Sequence, residues 1–152
     1  YWLVLVSPES YNNTMSVFTG RETRIQGGTY LKYHSVITRI GSDALHFLKE
    51  EVPFIILFDE NVPAELAEIA VLHKPEKMLA PIGTGDTVLL GEKVYDVTAV
   101  GDSVNQTMEE LGHCTLCFKA SDVPDRPGCI MLGGDEAPEA DDFQEGTILG
   151  IH

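Results

Sequence analysis

The segment Thr87-Val-Leu-Leu-Gly-Glu-Lys-Val-Tyr-Asp-Val-Thr-Ala-Val100 decides the fold class of this chain. Its two halves, 87–90 and 93–100, are rich in β-branched and aromatic residues, which favour strands. The dipeptide Gly91-Glu92 separates them, and a two-residue turn that contains glycine is typical of a β-hairpin. The segment therefore predicts two neighbouring antiparallel strands.

Similar strand-length runs lie on both sides of this hairpin. They end at glycine, proline or polar loop residues and comprise residues 30–40, 54–58, 71–74, 113–118, 129–132 and 147–151. Only short stretches between them show helical spacing, and strands do not alternate regularly with helices. The sequence predicts a mainly β protein, an antiparallel barrel or barrel-like sandwich with two or three short helices.

The short helices have recognisable ends in the sequence. Ser42 is a candidate N-cap for the first helix, and Pro63 opens the second. The third begins with the capping-box pattern Ser103-Val-Asn-Gln106 and stops at Gly112, where a left-handed C-cap is expected. All three helices are brief, which agrees with the mainly β prediction.

The 152-residue chain has the length and composition of one folded domain. Hydrophobic residues make up 43% and charged residues 22%, the values of a globular protein and not of a disordered one. Residues 1–28 are polar, lack a sustained period and end in Gly27-Gly28, so we predict an N-terminal arm or extension. Residues 29–152 are predicted to form the single domain.

The acidic composition limits the partners that this chain can bind. Ten Lys and Arg residues against 24 Asp and Glu residues give a formal net charge of -14. Such a surface repels nucleic acid and anionic lipid, so we expect neither as a partner. No apolar run approaches the roughly 20 residues of a membrane span, and we expect no direct insertion into a membrane.

The three cysteines, Cys114, Cys117 and Cys129, predict reduced thiols and a cytoplasmic location, because their number is odd and the core does not need a disulfide. Cys114 and Cys117 have the two-residue spacer of zinc and redox sites. Residues three apart on a strand point to opposite faces, however, which is the wrong geometry for one metal. We therefore expect structural thiols and no metal site.

Two histidines are candidates for chemistry, since the sequence lacks a phosphate-binding glycine loop, a nucleophile elbow and a zinc-protease helix. His73 lies where a predicted strand runs into Lys74-Pro75, a position that can expose an imidazole beside an apolar surface. His113 follows the Gly112 cap, where a cationic ring interacts favourably with the helix C-terminus and can bind an anion. On spacing alone, an ordinary structural histidine is the commoner interpretation of each.

Four segments, in this order, give the chain a resemblance to a known family. They are Ile37-Thr-Arg-Ile-Gly41, Ala64-Glu-Leu-Ala-Glu68 leading into Leu72-His73, Val97-Thr-Ala-Val-Gly101, and Glu110-Leu-Gly-His-Cys-Thr-Leu116. With them, residues 33–152 resemble the glucitol/sorbitol-specific IIA component of the bacterial phosphoenolpyruvate-dependent phosphotransferase system. Residues 1–28 take no part in the resemblance.

The resemblance implies a phosphoryl carrier. His73 matches the phosphorylated histidine of the family, which would accept a phosphoryl group from the phosphocarrier protein HPr and pass it to a cysteine of the IIB component. The membrane-embedded IIC component then moves the sugar alcohol. His113 matches a second family histidine and is a candidate stabiliser of the phosphoryl group, with Lys74, Thr98 and Thr115 as further candidate donors. Such a transfer needs no metal or other cofactor.

Two other classes of function remain open. In the first, His73, His113 and a carboxylate bind a divalent metal in a small β-barrel enzyme. In the second, the chain is a non-catalytic binding module whose acidic loop, residues 135–145, docks a basic partner. Metal analysis tests the first class, and failure to accept phosphate from phosphorylated HPr would favour the second.

Overall fold

The predicted hairpin forms two strands of a closed barrel in the computed structural model, which describes residues 30–152. The predicted arm, residues 1–28, lies outside the described residues. Leu31–His152 form one compact unit, and within it no helix has the length and apolarity that a bilayer crossing requires. Its strands and α-helices are, in chain order, β1 Tyr33–Ile40, β2 Phe54–Asp59, α1 Ala64–Ala67, β3 Val71–His73, β4 Thr87–Leu90, β5 Lys93–Val100, α2 Val104–Leu111, β6 Cys114–Cys117, β7 Cys129–Gly133 and β8 Ile148–Ile151. Short 3-10 helices lie at His46–Lys49 and at Ala140–Asp142, the second within the acidic segment 135–145.

The barrel closes in the strand order β1-β3-β2-β6-β7-β5-β4-β8, with β8 returning to β1. Six of the eight neighbouring pairs are antiparallel, which confirms the prediction of a mainly antiparallel barrel. The pairs β2/β3 and β6/β7 are parallel, which the sequence patterns did not predict. Parallel pairing needs a connection of about a dozen residues, and residues 60–70 and 118–128 supply the two connections.

The inside of the barrel contains the main hydrophobic core. Burial along β1 has a period of two, so Tyr33 and Ile37 point inward. A smaller cluster lies on the outside, where Phe58 of β2 and Leu72 of β3 pack against α1. Because neighbouring residues of a strand face opposite sides, His73 points back into the barrel.

The predicted start of α2 at Ser103 is confirmed although its capping box does not form, and the predicted helix start at Ser42 is wrong. Ser103 makes no side-chain cap bond, and its backbone N–H instead donates to the carbonyl of Pro127 at 2.9 Å. In place of a helix that starts at Ser42, the structure has a 3-10 helix at His46–Lys49, because the backbone before it bonds to the end of the α1 segment. The predicted C-cap of α2 is confirmed, since Gly112 has a φ of 59°.

Candidate functional site

His73 lies at the end of β3, at one rim of the barrel. It stands beside Asp59 in the parallel pair with β2 and beside Ile37 in the antiparallel pair with β1. The residue is completely buried, with 0% of its surface exposed. The expectation of an exposed imidazole is therefore wrong, because the turn that follows α2 covers the ring.

One ring nitrogen of His73 faces that turn. Its Nε2 lies 2.7 Å from the carbonyl oxygen of Gly112. A carbonyl can only accept a hydrogen bond, so Nε2 carries a proton and donates it in this arrangement. The turn thus occupies the space directly in front of Nε2.

The other ring nitrogen of His73 faces a buried polar cluster. Nδ1 lies 3.3 Å from the Tyr33 hydroxyl, 3.3 Å from Ser35 Oγ and 3.2 Å from the Lys74 carbonyl. Ser35 donates its proton to the Lys74 carbonyl at 2.6 Å, which leaves Tyr33 as the donor to an unprotonated Nδ1. Burial raises the pKa of Tyr33 to about 12, so the hydroxyl keeps its proton. In this cluster a neutral His73 ring therefore carries its proton on Nε2.

Gly112 allows the turn to approach His73 this closely. Its φ of 59° lies in the left-handed region, which side chains other than glycine rarely adopt. A Cβ at this position would lie 2.8 Å from His73 Cε1 and 2.9 Å from Asp59 Cβ. Both separations are well below the roughly 3.5 Å of a carbon–carbon contact. The position thus requires glycine for its backbone conformation and for the available space.

His113 stands at the same end of the barrel, but its ring lies on the outer face of the sheet. The ring stacks on Phe58, with centroids 4.0 Å apart and an interplanar angle of 12°. Its Nδ1 lies 2.9 Å from the Leu57 carbonyl and donates to it. The backbone brings the two histidines together, since the carbonyl that contacts His73 belongs to Gly112, whereas their rings face opposite sides of the sheet.

The family model of the PTS system glucitol/sorbitol-specific IIA component matches residues 32–149. The chain belongs to this family. Among its relatives are the PTS system glucitol/sorbitol-specific EIIA components of Escherichia coli (strain K12) and Shigella flexneri, each 34% identical over 117 residues, which are 77% of this chain and 91% of the relative. The crystal structure of the PTS system IIA component from Enterococcus faecalis V583 is similar, with a TM-score of 0.64, 27% identity and coverage of 77% of this chain and 97% of that one. Family membership supports a phosphoryl-carrier role in the phosphotransferase system.

The other predicted donors of this IIA chain do not gather around the His73 ring. The ammonium of Lys74 is exposed, and only the backbone carbonyl of that residue contacts the imidazole. Thr98 donates its hydroxyl proton to the Met131 carbonyl at 3.3 Å, and Thr115 lies in the middle of the sheet on β6. Their strands, β5 and β6, are not neighbours of β3 in the barrel.

The three cysteines of this IIA chain are free, buried thiols. Cys114 packs inside the barrel and Cys117 and Cys129 pack outside it, which confirms the predicted opposite faces. Burial raises the pKa of Cys117 to about 12 and also raises the pKa of Cys114, so both remain protonated. Within residues 30–152, no three His, Cys, Asp or Glu side chains are placed to hold a metal ion, so this part of the chain gives the metal-enzyme interpretation no support.

Sequence reasoning missed three groups of the site: the Tyr33 hydroxyl, the Ser35 hydroxyl and the Gly112 carbonyl. The first two stand at alternate positions of β1, a spacing that places both hydroxyls inside the barrel. A buried hydroxyl needs a hydrogen-bond partner, so this pair was a usable signal for a polar cluster. The sequence contains no such signal for the Gly112 carbonyl, because every residue has a backbone carbonyl.

Proposed function

We propose that His73 accepts a phosphoryl group from the phosphohistidine of HPr and passes it to a cysteine of the glucitol/sorbitol IIB component. In this scheme the protein works in the cytoplasm, and the IIC component moves the sugar alcohol across the membrane. The observation that carries the proposal is the polar cluster around His73. Groups from β1, the end of β3 and the end of α2 meet there and fix the position of one imidazole at the rim.

In this proposal Nε2 is the nitrogen that accepts the phosphoryl group. Nδ1 faces the interior beside Tyr33 and Ser35, whereas Nε2 faces the turn at the rim. When the ring proton moves to Nδ1, the Lys74 carbonyl at 3.2 Å can accept its hydrogen bond and Nε2 gains a free electron pair. The groups around Nδ1 can therefore satisfy either tautomer of the neutral ring.

The proposed reaction exchanges one phosphorus–nitrogen bond for another. The Nε2 electron pair attacks phosphorus while the bond to the HPr histidine breaks, and that histidine leaves with the bonding electrons. In the second step a thiolate of IIB attacks the same phosphorus, and His73 leaves as a neutral imidazole that keeps its Nδ1 proton. Positioning and electrostatic stabilisation of the shared phosphoryl group then set the rate.

We assign the side chains of His113 and Lys74 as donors to the phosphoryl oxygens, a role for which the His113 ring must leave its stacked position on Phe58. Because Nδ1 of His113 donates to the Leu57 carbonyl, its Nε2 can donate only when the ring is doubly protonated. Lys74 follows His73 directly, and its exposed ammonium can extend along the rim. The mechanism makes no use of Thr98 and Thr115, whose strands are not neighbours of β3.

Incubation with phosphoenolpyruvate, enzyme I and HPr, followed by mass mapping of the modified residue, tests this assignment. We expect acid-labile, alkali-stable phosphate on His73 and none on His73→Gln, whose amide can still donate to Gly112. The matched control is His34→Gln, a change at an exposed position of β1, which should be phosphorylated normally. Stable phosphate on His113 together with a fully competent His73→Gln would reverse the assignment. No phosphate on any residue would favour the binding-module interpretation.

A further inference from the structure

We propose that the turn Gly112-His113 is a gate that closes the accepting nitrogen of His73, and that the His113 ring is the latch of this gate. The inference rests on the proposed function, because it concerns access to the same nitrogen. The turn packed over the ring is then the closed, resting form of the site. Phosphoryl transfer requires the gate turn to move away from the ring.

The Gly112 carbonyl stands where the phosphorus atom must arrive. Attack uses the in-plane electron pair of Nε2, with the reacting atoms about 3–3.5 Å apart before the bond forms. An oxygen already lies 2.7 Å from this nitrogen and accepts its proton. Neither the space nor the electron pair is available while the gate turn is closed.

Opening of the gate and activation of the ring are coupled through the tautomer of His73. With the gate closed, Nε2 donates to Gly112 and Tyr33 donates to Nδ1. In the nucleophilic tautomer, the Nε2 electron pair would face the carbonyl oxygen at 2.7 Å with no proton between two acceptors. The nucleophilic tautomer and the closed gate therefore exclude each other.

The latch fastens the gate turn to the outside of the barrel. The His113 ring stacks on Phe58 at a centroid distance of 4.0 Å and donates from Nδ1 to the Leu57 carbonyl at 2.9 Å. Both contacts are made by one half-buried side chain to the neighbouring strand β2. They can break without loss of any hydrogen bond inside α2.

The end of α2 is suited to this movement because it carries few buried side chains. The buried residues of α2 are Val104 and Met108, and residues 109–111 after them are exposed. Beyond Met108 the segment is held by backbone bonds, by the bond from His73 Nε2 to the Gly112 carbonyl, by the Thr107 hydroxyl on the His113 carbonyl at 2.7 Å, and by the His113 ring. Segments with few buried contacts open at a lower free energy than the rest of a fold.

Acylation by diethyl pyrocarbonate, read for each histidine by mass spectrometry, tests the gate without any phosphoryl donor. The reagent adds a carbethoxy group to an accessible, unprotonated imidazole nitrogen. We expect His73 to react at least about tenfold more slowly than His46, whose side chain is 68% exposed in the same molecule. His113→Ala should accelerate the acylation of His73 about tenfold, because it removes one hydrogen bond and one stacked ring.

Two further variants keep the test specific. Phe58→Leu releases the stacked ring by a different change and should also accelerate the acylation of His73, by about threefold or more. Gly91→Ala strains a left-handed glycine in the β4–β5 turn at the other end of the barrel, so it lowers stability without touching the gate. It should leave the acylation rate of His73 within about twofold of the wild-type value.

The outcomes separate the gate from the proposed function. Wild-type His73 that reacts as fast as His46 would overturn the gate, and so would unchanged rates in both His113→Ala and Phe58→Leu. Equal acceleration in Gly91→Ala would also overturn it, since the exposure would then come from general loss of stability. Absence of phosphate on His73 in the phosphorylation assay would overturn the proposed function and leave the acylation result intact.

Discussion

Replacement of Gly112 by alanine tests the closest approach in the site, between the turn after α2 and His73. An alanine in the left-handed region costs about 1–2 kcal/mol. Its Cβ would also lie 2.8 Å from His73 Cε1 and 2.9 Å from Asp59 Cβ, and such overpacking costs about 1–3 kcal/mol more. We therefore expect Gly112→Ala to lower the free energy of unfolding by about 2–5 kcal/mol.

Two other glycines of the chain separate these contributions. Gly91 has nearly the same φ, 61°, but a Cβ there would meet only Thr147 Cγ2, at an ordinary contact distance of 3.5 Å. Gly91→Ala should therefore lower the free energy of unfolding only by the backbone contribution of about 1–2 kcal/mol. A Cβ at Gly83 would meet no atom within 4 Å beyond its chain neighbours, and the φ of this residue is not positive. Gly83→Ala should therefore change stability by less than about 1 kcal/mol.

Urea unfolding followed by circular dichroism measures all three variants on one scale, by linear extrapolation to water. The expected order of destabilisation is Gly112→Ala, then Gly91→Ala, then Gly83→Ala. If Gly112→Ala costs no more than Gly91→Ala, the turn does not press against His73, and the reasoning about the closed site fails with it.

Three further substitutions address individual side chains. Tyr33→Phe should lower the free energy of unfolding by about 0.5–1.5 kcal/mol and shift the His73 ring proton from Nε2 towards Nδ1, because the hydroxyl that donates to Nδ1 is lost. Nitrogen-15 NMR measures the ratio of the two tautomers, and an unchanged ratio would contradict the hydrogen bond from Tyr33 to Nδ1. Cys117→Ala should leave phosphoryl transfer intact and lower the free energy of unfolding by about 1–3 kcal/mol. Loss of transfer in a variant that still folds would point to redox or metal chemistry. His113→Ala should slow transfer about 10- to 1,000-fold, or about 1.4–4 kcal/mol, because loss of the donor to the phosphoryl group outweighs the easier opening of the gate turn. His113→Gln should recover part of the rate, and a loss of transfer no greater than the loss of stability would mean that His113 only braces the backbone.

The elements that local sequence determines were predictable. The hairpin of β4 and β5 has the predicted bounds, because strand propensity and a glycine turn act over a few residues. Gly112 was predictable for the same reason, since a C-cap depends on one backbone conformation. The start of α2 at Ser103 was predictable as well, but its capping box does not form, because the Ser103 N–H that the box would use donates to the carbonyl of Pro127 instead.

The arrangement around His73 was only partly predictable, because the groups come from distant parts of the chain. Position 73 at a strand end follows from the proline that limits the strand, but its burial depends on a turn 39 residues away. The hydroxyls of Tyr33 and Ser35 reach the ring through the antiparallel pairing of β1 with β3. Strand pairing is long-range information, and short apolar strands fit several partners equally well.

The closed site also sets a condition on the phosphorylated protein. Within residues 30–152, the groups hydrogen-bonded to the His73 ring are hydroxyls and carbonyls, and none of them is a cation. A phosphoryl group on Nε2 would place anionic oxygens against the Gly112 carbonyl, which is repulsive, so phosphorylation of His73 must keep the gate turn open. We therefore predict that the backbone amide resonances of Gly112 and His113 shift when the protein is phosphorylated, while those of Gly91 at the far end of the barrel stay unchanged. Unshifted resonances at Gly112 and His113 in fully phosphorylated protein would mean that the phosphoryl group is accommodated without the gate, and the coupling between ring and turn would then be wrong.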